Sequence, residues 1–142
     1  MTTLTVTVVG IPVGQGRLSA IGRGRVIHSN ADKLLPWRDA IAVRTRWAMG
    51  DLGLTEPLEG PLTLTATFTL PRPKSAPRSR WAPDRRPDLD HLLRACGDGI
   101  TAGGGWVDDS QVVNVIASKV YGPMPGLTFT ITPAERGMAA AA

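Results

Sequence analysis

The run 61–70, PLTLTATFTL, restricts this chain more than any other stretch. Leu62, Leu64, Ala66, Phe68 and Leu70 fall on one side of an extended backbone, and Thr63, Thr65, Thr67 and Thr69 fall on the other. That period of two predicts a β-strand with one apolar face and one hydroxylated face. The apolar face needs a covering layer. Residues 3–9 (TLTVTVV) repeat the pattern, with Leu4, Val6 and Val8 on one side. Residues 111–121 (QVVNVIASKVY) and 126–132 (GLTFTIT) read as two more strands, and the turn Gly122-Pro123-Met124-Pro125 is short enough to predict an antiparallel hairpin.

Two segments have helical periodicity. The first runs from about Ala31, capped by Ser29 or Asn30, to Met49 and stops near Gly50; Pro36 belongs in its first turn. Leu34, Leu35, Ile41, Trp47 and Met49 supply its apolar surface, and Trp37 and Trp47 read as packing residues. The second runs from about Asp88 to Ile100, with Leu89, Leu92, Leu93, Cys96 and Ile100 on one face. Gly97 and Gly99 weaken its end, by about 1 kcal/mol each relative to alanine. A glycine turn follows, and Trp106 anchors its exit in the core. The element order predicts a small single domain of α/β (α+β) class: a mixed sheet covered by two main helices, spanning residues 1–132, with a flexible tail over 133–142.

The chain has 142 residues, 42% of them hydrophobic and 20% charged, as expected of one globular domain. No apolar run reaches membrane-spanning length, and the start has no charged leader, so the expected location is cytoplasmic. The single cysteine, Cys96, lies on the apolar helix face and reads as a buried thiol. Residues 10–26 hold five glycines and three arginines without a GK[ST] or a complete GxGxxG, which argues against a phosphate-binding loop. They read either as a hairpin or loop or as a basic arm touching nucleic acid. The net charge of +4 is concentrated elsewhere. Segment 71–87 carries Arg72, Lys74, Arg78, Arg80, Arg85 and Arg86 against one acid, a net of +5, which leaves −1 for the other 125 residues. A loop of this kind suits a polyanionic partner.

The acidic residues gather immediately after that loop. Five of the twelve lie between Arg85 and Val115: Asp88, Asp90, Asp98, Asp108 and Asp109. Asp88 and Asp90, two apart in an extended segment, face one point. Of the adjacent pair Asp108 and Asp109, only one can join them. Three carboxylates converging from two segments would bind a hard divalent cation through oxygen. Plainer readings stand beside this one. Asp88 would cap the helix, Arg94 would pair with Asp90 and Asp98 one turn away, and His91 would be an ordinary half-exposed histidine.

The run RPDLDHLLRACGDGITAGGGWVDDSQV closely resembles the signature of RusA-like Holliday junction resolvases, which are commonly met in phages and prophages. The specific elements are DxD, a basic residue four positions after the second Asp, another Asp four further on, and W-x-DD-x-QV. The resemblance is strong over 86–113. It implies a homodimeric, Mg2+-dependent endonuclease, with Mn2+ as a substitute ion, that makes paired nicks across four-way DNA junctions. By position, Asp88, Asp90 and Asp109 match the family's essential carboxylates. Arg94 stands where a catalytic lysine is usual and His91 where asparagine is common, while Gly97 and Gly99 replace bulkier residues. Asp98 and Asp108, with His91, are expected behind the metal ligands, and the six cations of 71–87 are expected to contact DNA. Arginine stays protonated, so Arg94 would stabilise charge and not act as a base. Two rivals remain open. One is a protein that binds branched DNA without cutting it, suggested by the changes at Arg94 and His91. The other is a hydrolase of small phosphate esters, against which the extended basic loop argues.

Overall fold

The computed structural model describes residues 2–16, 18–20, 26–28 and 30–139, and the side chains of residues 2–16 and 30–137. Strand β1 (Leu4–Val9) is followed by a small hairpin of β2 (Leu18–Ala20) and β3 (Val26–His28), and then by helix α1 (Ala31–Asp51). Strand β4 (Leu62–Leu70), helix α2 (Leu89–Ala102), a 3-10 turn (Asp109–Gln111), β5 (Val112–Tyr121), β6 (Gly126–Pro133) and a helical turn α3 (Arg136–Ala139) complete the chain. The hairpin agrees with the first reading of residues 10–26. Arg17, Arg23 and Arg25, on which the basic-arm reading rests, lie outside the described side chains.

The alternation of β4 translates directly into burial: Leu62, Leu64, Ala66, Phe68 and Leu70 are all buried. With Leu4, Val6 and Val8 of β1 and Leu127, Phe129 and Ile131 of β6, they form the floor on which both helices lie. The opposite face carries threonines, which pair across strands through their hydroxyls, Thr5 with Thr130 at 3.3 Å and Thr7 with Thr128 at 3.5 Å. The result is the expected mixed sheet with two main helices on one side.

The predicted β5–β6 hairpin does not form. The sheet order is β1-β6-β4-β5, with β4 parallel to β5 and antiparallel to β6, so β4 lies between the two strands that the short turn joins. The turn steps over the end of β4, where the Gly122 N–H donates to the Leu70 carbonyl at 3.1 Å. A Cβ on Gly122 would sit 2.6 Å from Thr69 Cγ2, and only glycine leaves room for that crossing. A short turn fixes the direction of the returning strand but does not fix its neighbour.

Helix α1 buries Leu34, Trp37, Ile41, Ala42, Thr45 and Met49. Trp47 is on the outer face, 58% exposed, with the Arg44 guanidinium 4.9 Å from its ring centre; it is not a packing residue. Leu35 is exposed as well. Pro36 is the sixth helical residue, beyond the first turn, and is held there between the buried Leu34 and Trp37. Asn30 occupies the N-cap position without capping; its side-chain amide donates instead to the Gly14 carbonyl at 2.8 Å. One glycine of α2 has a packing reason. A Cβ on Gly99 would meet Ile41 Cγ2 at 2.6 Å, so its absence brings the two helices together.

Candidate metal centre

Helix α2 begins where the basic loop ends, and its amphipathic pattern fixes which residues face outward. Leu92, Ala95, Cys96 and Ile100 are buried, so Asp90 and Arg94 stand on the exposed side. Asp88 is the N-cap in extended conformation, yet its carboxylate accepts no capping hydrogen bond. No N–H of the helix engages it, and it faces His91 instead. Asp88, Asp90 and His91 each offer a ligand atom, all within 4.8 Å of one another, and they form the only such group of three among the described residues. The His91 ring lies between the carboxylates, with Nδ1 3.8 Å from Asp88 Oδ2 and Nε2 3.9 Å from Asp90 Oδ2. Two carboxylates and one imidazole this close make a candidate site for a divalent cation.

Two contacts from distant parts of the chain hold this corner. The Gln15 N–H donates to the His91 carbonyl at 3.0 Å, and Gly14 packs so closely that a Cβ there would lie 3.0 Å from His91 Cβ. From β5, the Lys119 ammonium donates to the carbonyls of Arg85 at 2.9 Å and Pro87 at 3.0 Å. These carbonyls lie just before Asp88, so Lys119 fixes where the first carboxylate leaves the loop. No sequence motif marks Lys119; its role depends on the parallel pairing of β4 with β5, which carries residue 119 to the start of α2.

Asp109 occupies a different place. It sits against α2 at Gly97, where a Cβ would be 3.8 Å from Asp109 Oδ2. Gly97 is seven residues beyond Asp90, roughly 10 Å along the helix axis. The structure thus groups Asp88 and Asp90 with His91, and it sets Asp109, from the 3-10 turn, beside Gly97 of the same helix. The side-chain hydrogen bond from Asp109 to Asp108 raises its pKa, and burial and the negative charges of Asp108 and Asp98 act in the same direction. Asp108 shifts down, chiefly because the Ser110 N–H donates to it. Asp98 faces α1 and pairs with Arg38 at 3.8 Å. Arg94 is exposed and has no ion-pair partner among the described residues, so neither Asp90 nor Asp98 holds it one turn away.

The family described as "Endodeoxyribonuclease RusA" matches residues 10–132. The chain belongs to the RusA family. Among its relatives are the crossover junction endodeoxyribonucleases RusA of Escherichia coli K12 and of Escherichia coli O6:H1 strain CFT073. Each is 32% identical over 122 residues, covering 85% of this chain and 88% of the relative.

In the W-x-DD-x-QV run of this RusA-family chain, Trp106, Asp108 and Gln111 each have a structural reason. Trp106 is buried and its indole N–H donates to Thr101 Oγ1 at 2.7 Å. Asp108 caps the 3-10 turn by accepting from the Ser110 N–H. Gln111 Oε1 accepts from the N–H groups of Val107 and Asp108, and its amide donates to the carbonyls of Leu58 at 2.9 Å and Gly60 at 3.1 Å. Asp109 alone is left pointing at α2. In the basic loop, Arg72, Lys74, Arg78, Arg85 and Arg86 are exposed and Arg80 is half-buried. Arg80 and Arg85 both reach Asp84 Oδ1, each at 3.6 Å. Beside them stands Trp81, 87% exposed, a residue that the sequence reading passed over although cations flank it on both sides.

Proposed function

We propose that this protein is a divalent-cation-dependent endodeoxyribonuclease that resolves four-way DNA junctions by paired symmetric cuts, acting as a homodimer. One observation carries the reading: in a RusA-family chain, the uncapped Asp88 carboxylate, Asp90 and His91 converge at the foot of a loop with a net charge of +5. The loop binds the phosphate backbone, with Arg72, Lys74, Arg78, Arg80, Arg85 and Arg86 as its cations. Asp88 and Asp90 hold the cation, and His91 completes or orients their set. When bound, Mg2+ or Mn2+ supplies an acidified water and neutralises charge on the scissile phosphate. A carboxylate at the site accepts the proton of the attacking water, and Arg94, permanently charged, stabilises the phosphorane-like charge distribution. In-line attack leaves 5′-phosphate and 3′-hydroxyl ends. A twofold dimer places two such sites on a junction of near-twofold symmetry. Asp98 and Asp108 act from behind the ligands, through Arg38 and through the turn that presents Asp109. A protein of this kind works inside a bacterial or phage-infected bacterial cell.

The displacement of Asp109 from the cluster favours a second reading, a binder of branched DNA that does not cut. A synthetic four-way junction incubated with Mg2+ or Mn2+, with linear duplex alongside, separates the two. Paired nicks at the junction, lost in Asp90→Asn with binding unchanged or tighter, are the expected result. Tight junction binding without nicks in either metal would establish the binder instead.

A further inference from the structure

The four tryptophans of this chain are not in comparable environments. Trp37 and Trp106 are buried, and Trp47 lies under the Arg44 guanidinium. Trp81 is 87% exposed, the most exposed large apolar side chain among the described residues. Aromatic rings of this size are ordinarily mostly buried, so such a ring in solvent calls for a partner.

Its setting indicates which partner. Trp81 lies in the segment that carries six cations, between Arg80 and Arg85. It is also displayed from a fastened base. Arg72 Nη2 donates to the Pro77 carbonyl at 2.6 Å, and the Arg80 N–H donates to the same carbonyl at 3.0 Å. Arg80 and Arg85 both pair with Asp84 Oδ1, and Pro83, two residues after the ring, is buried. The loop therefore holds the indole outward in advance of any encounter. A second copy of the chain is a poor occupant, because a twofold contact through this loop would bring two segments of net charge +5 together. A polyanion with accessible aromatic faces is a good one.

We propose that Trp81 is a stacking platform for a nucleobase at the branch point of the DNA substrate. This deepens the junction-resolving reading and rests on it. In a linear duplex every base face is covered by its neighbours, whereas at a branch the pairs flanking the crossing can open and present a face. An indole held among guanidiniums takes that face by stacking, and the guanidiniums take the adjacent phosphates. Trp81 thus confers preference for branched over linear DNA, without reading base identity.

The test compares wild type, Trp81→Phe and Trp81→Ala, with Ca2+ in place of Mg2+ and a denaturing gel to check that the DNA stays intact, against a four-way junction and a linear duplex of matched sequence. The junction carries 2-aminopurine beside the branch. Trp81→Ala should weaken junction binding about ten-fold, leave duplex binding within about two-fold, and leave the salt slope unchanged because no phosphate contact is removed. Trp81→Phe should retain most of the affinity. Wild type should change the 2-aminopurine emission and Trp81→Ala should not. Equal losses on both DNAs, or unaltered junction binding by Trp81→Ala, would overturn the proposal while leaving junction selectivity standing. A shift of Trp81→Ala from dimer to monomer in sedimentation would also overturn it, in favour of a second copy. If wild type shows no preference for the junction, the junction-resolving reading fails first and this inference with it.

Discussion

Arg94 and Cys96, two residues apart on α2, differ in what their surroundings permit. Arg94 is exposed and without an ion-pair partner among the described residues, so its charge is available to a phosphate. If the position needs only a cation, Arg94→Lys should retain or raise the cleavage rate in a single-turnover assay. Complete loss would show a dependence on the planar guanidinium fork. Cys96 is fully buried, and burial pushes its thiol pKa up from 9.0 to about 12. The folded protein therefore keeps a proton that the unfolded chain releases above pH 9. Stability should fall as pH rises from 9 to 12, by about 1.4 kcal/mol per unit from this group. Cys96→Ala should flatten that part of a denaturant-midpoint profile against pH. Below pH 9 the thiol contributes no pH dependence.

At the level of elements, the corner that groups Asp88, Asp90 and His91 depends on a strand that adds no residue to the group. Lys119 of β5 fastens the carbonyls of Arg85 and Pro87, and Asp88 follows immediately. Lys119→Met should lower Mn2+ affinity roughly ten-fold, measured by electron paramagnetic resonance, with a much smaller effect on the thermal midpoint; an unchanged affinity would make Lys119 a surface residue only. Lys119 also marks a boundary of what the sequence discloses. Periodicity revealed β1, β4 and both main helices, because alternation and the 3.6-residue repeat are local signals. The DxD spacing grouped Asp88 and Asp90 correctly but for the wrong reason: the segment is not extended through both, since Asp88 is the extended N-cap and Asp90 is in the first turn of α2. Partners brought by non-local pairing were not legible: the parallel β4–β5 ladder that delivers Lys119, and the crossing at Gly122 that separates β5 from β6. Gly99 reads as a weak point of a helix until Ile41 is found 2.6 Å from where its Cβ would be. Trp47 lies on the outer face because a helix has more apolar residues than one face can bury, and only the core decides which ones it takes.

For the whole molecule, the separation of Asp109 from Asp88 and Asp90 bears on how a dimer would be wired. Asp109 lies beside Gly97, seven residues along α2 from Asp90, and outside the group that Asp88, Asp90 and His91 form. If the carboxylate sets combine across the twofold axis, neither Asp90→Asn nor Asp109→Asn protein should cut alone. Mixed and allowed to exchange subunits, they should restore single nicks at the junction, since one site of each hybrid keeps both carboxylates. No recovery after demonstrated exchange would place both carboxylates in the same subunit. The sheet order also governs how the chain is made. Strand β6, the last strand, fills the slot between β1, the first, and β4. Until residues 126–133 have left the ribosome, the N-terminal strand has no neighbour and β4 has one edge open. The domain cannot close during synthesis, and a nascent chain halted before Gly126 should expose its apolar strands to chaperones and proteases however complete its helices are.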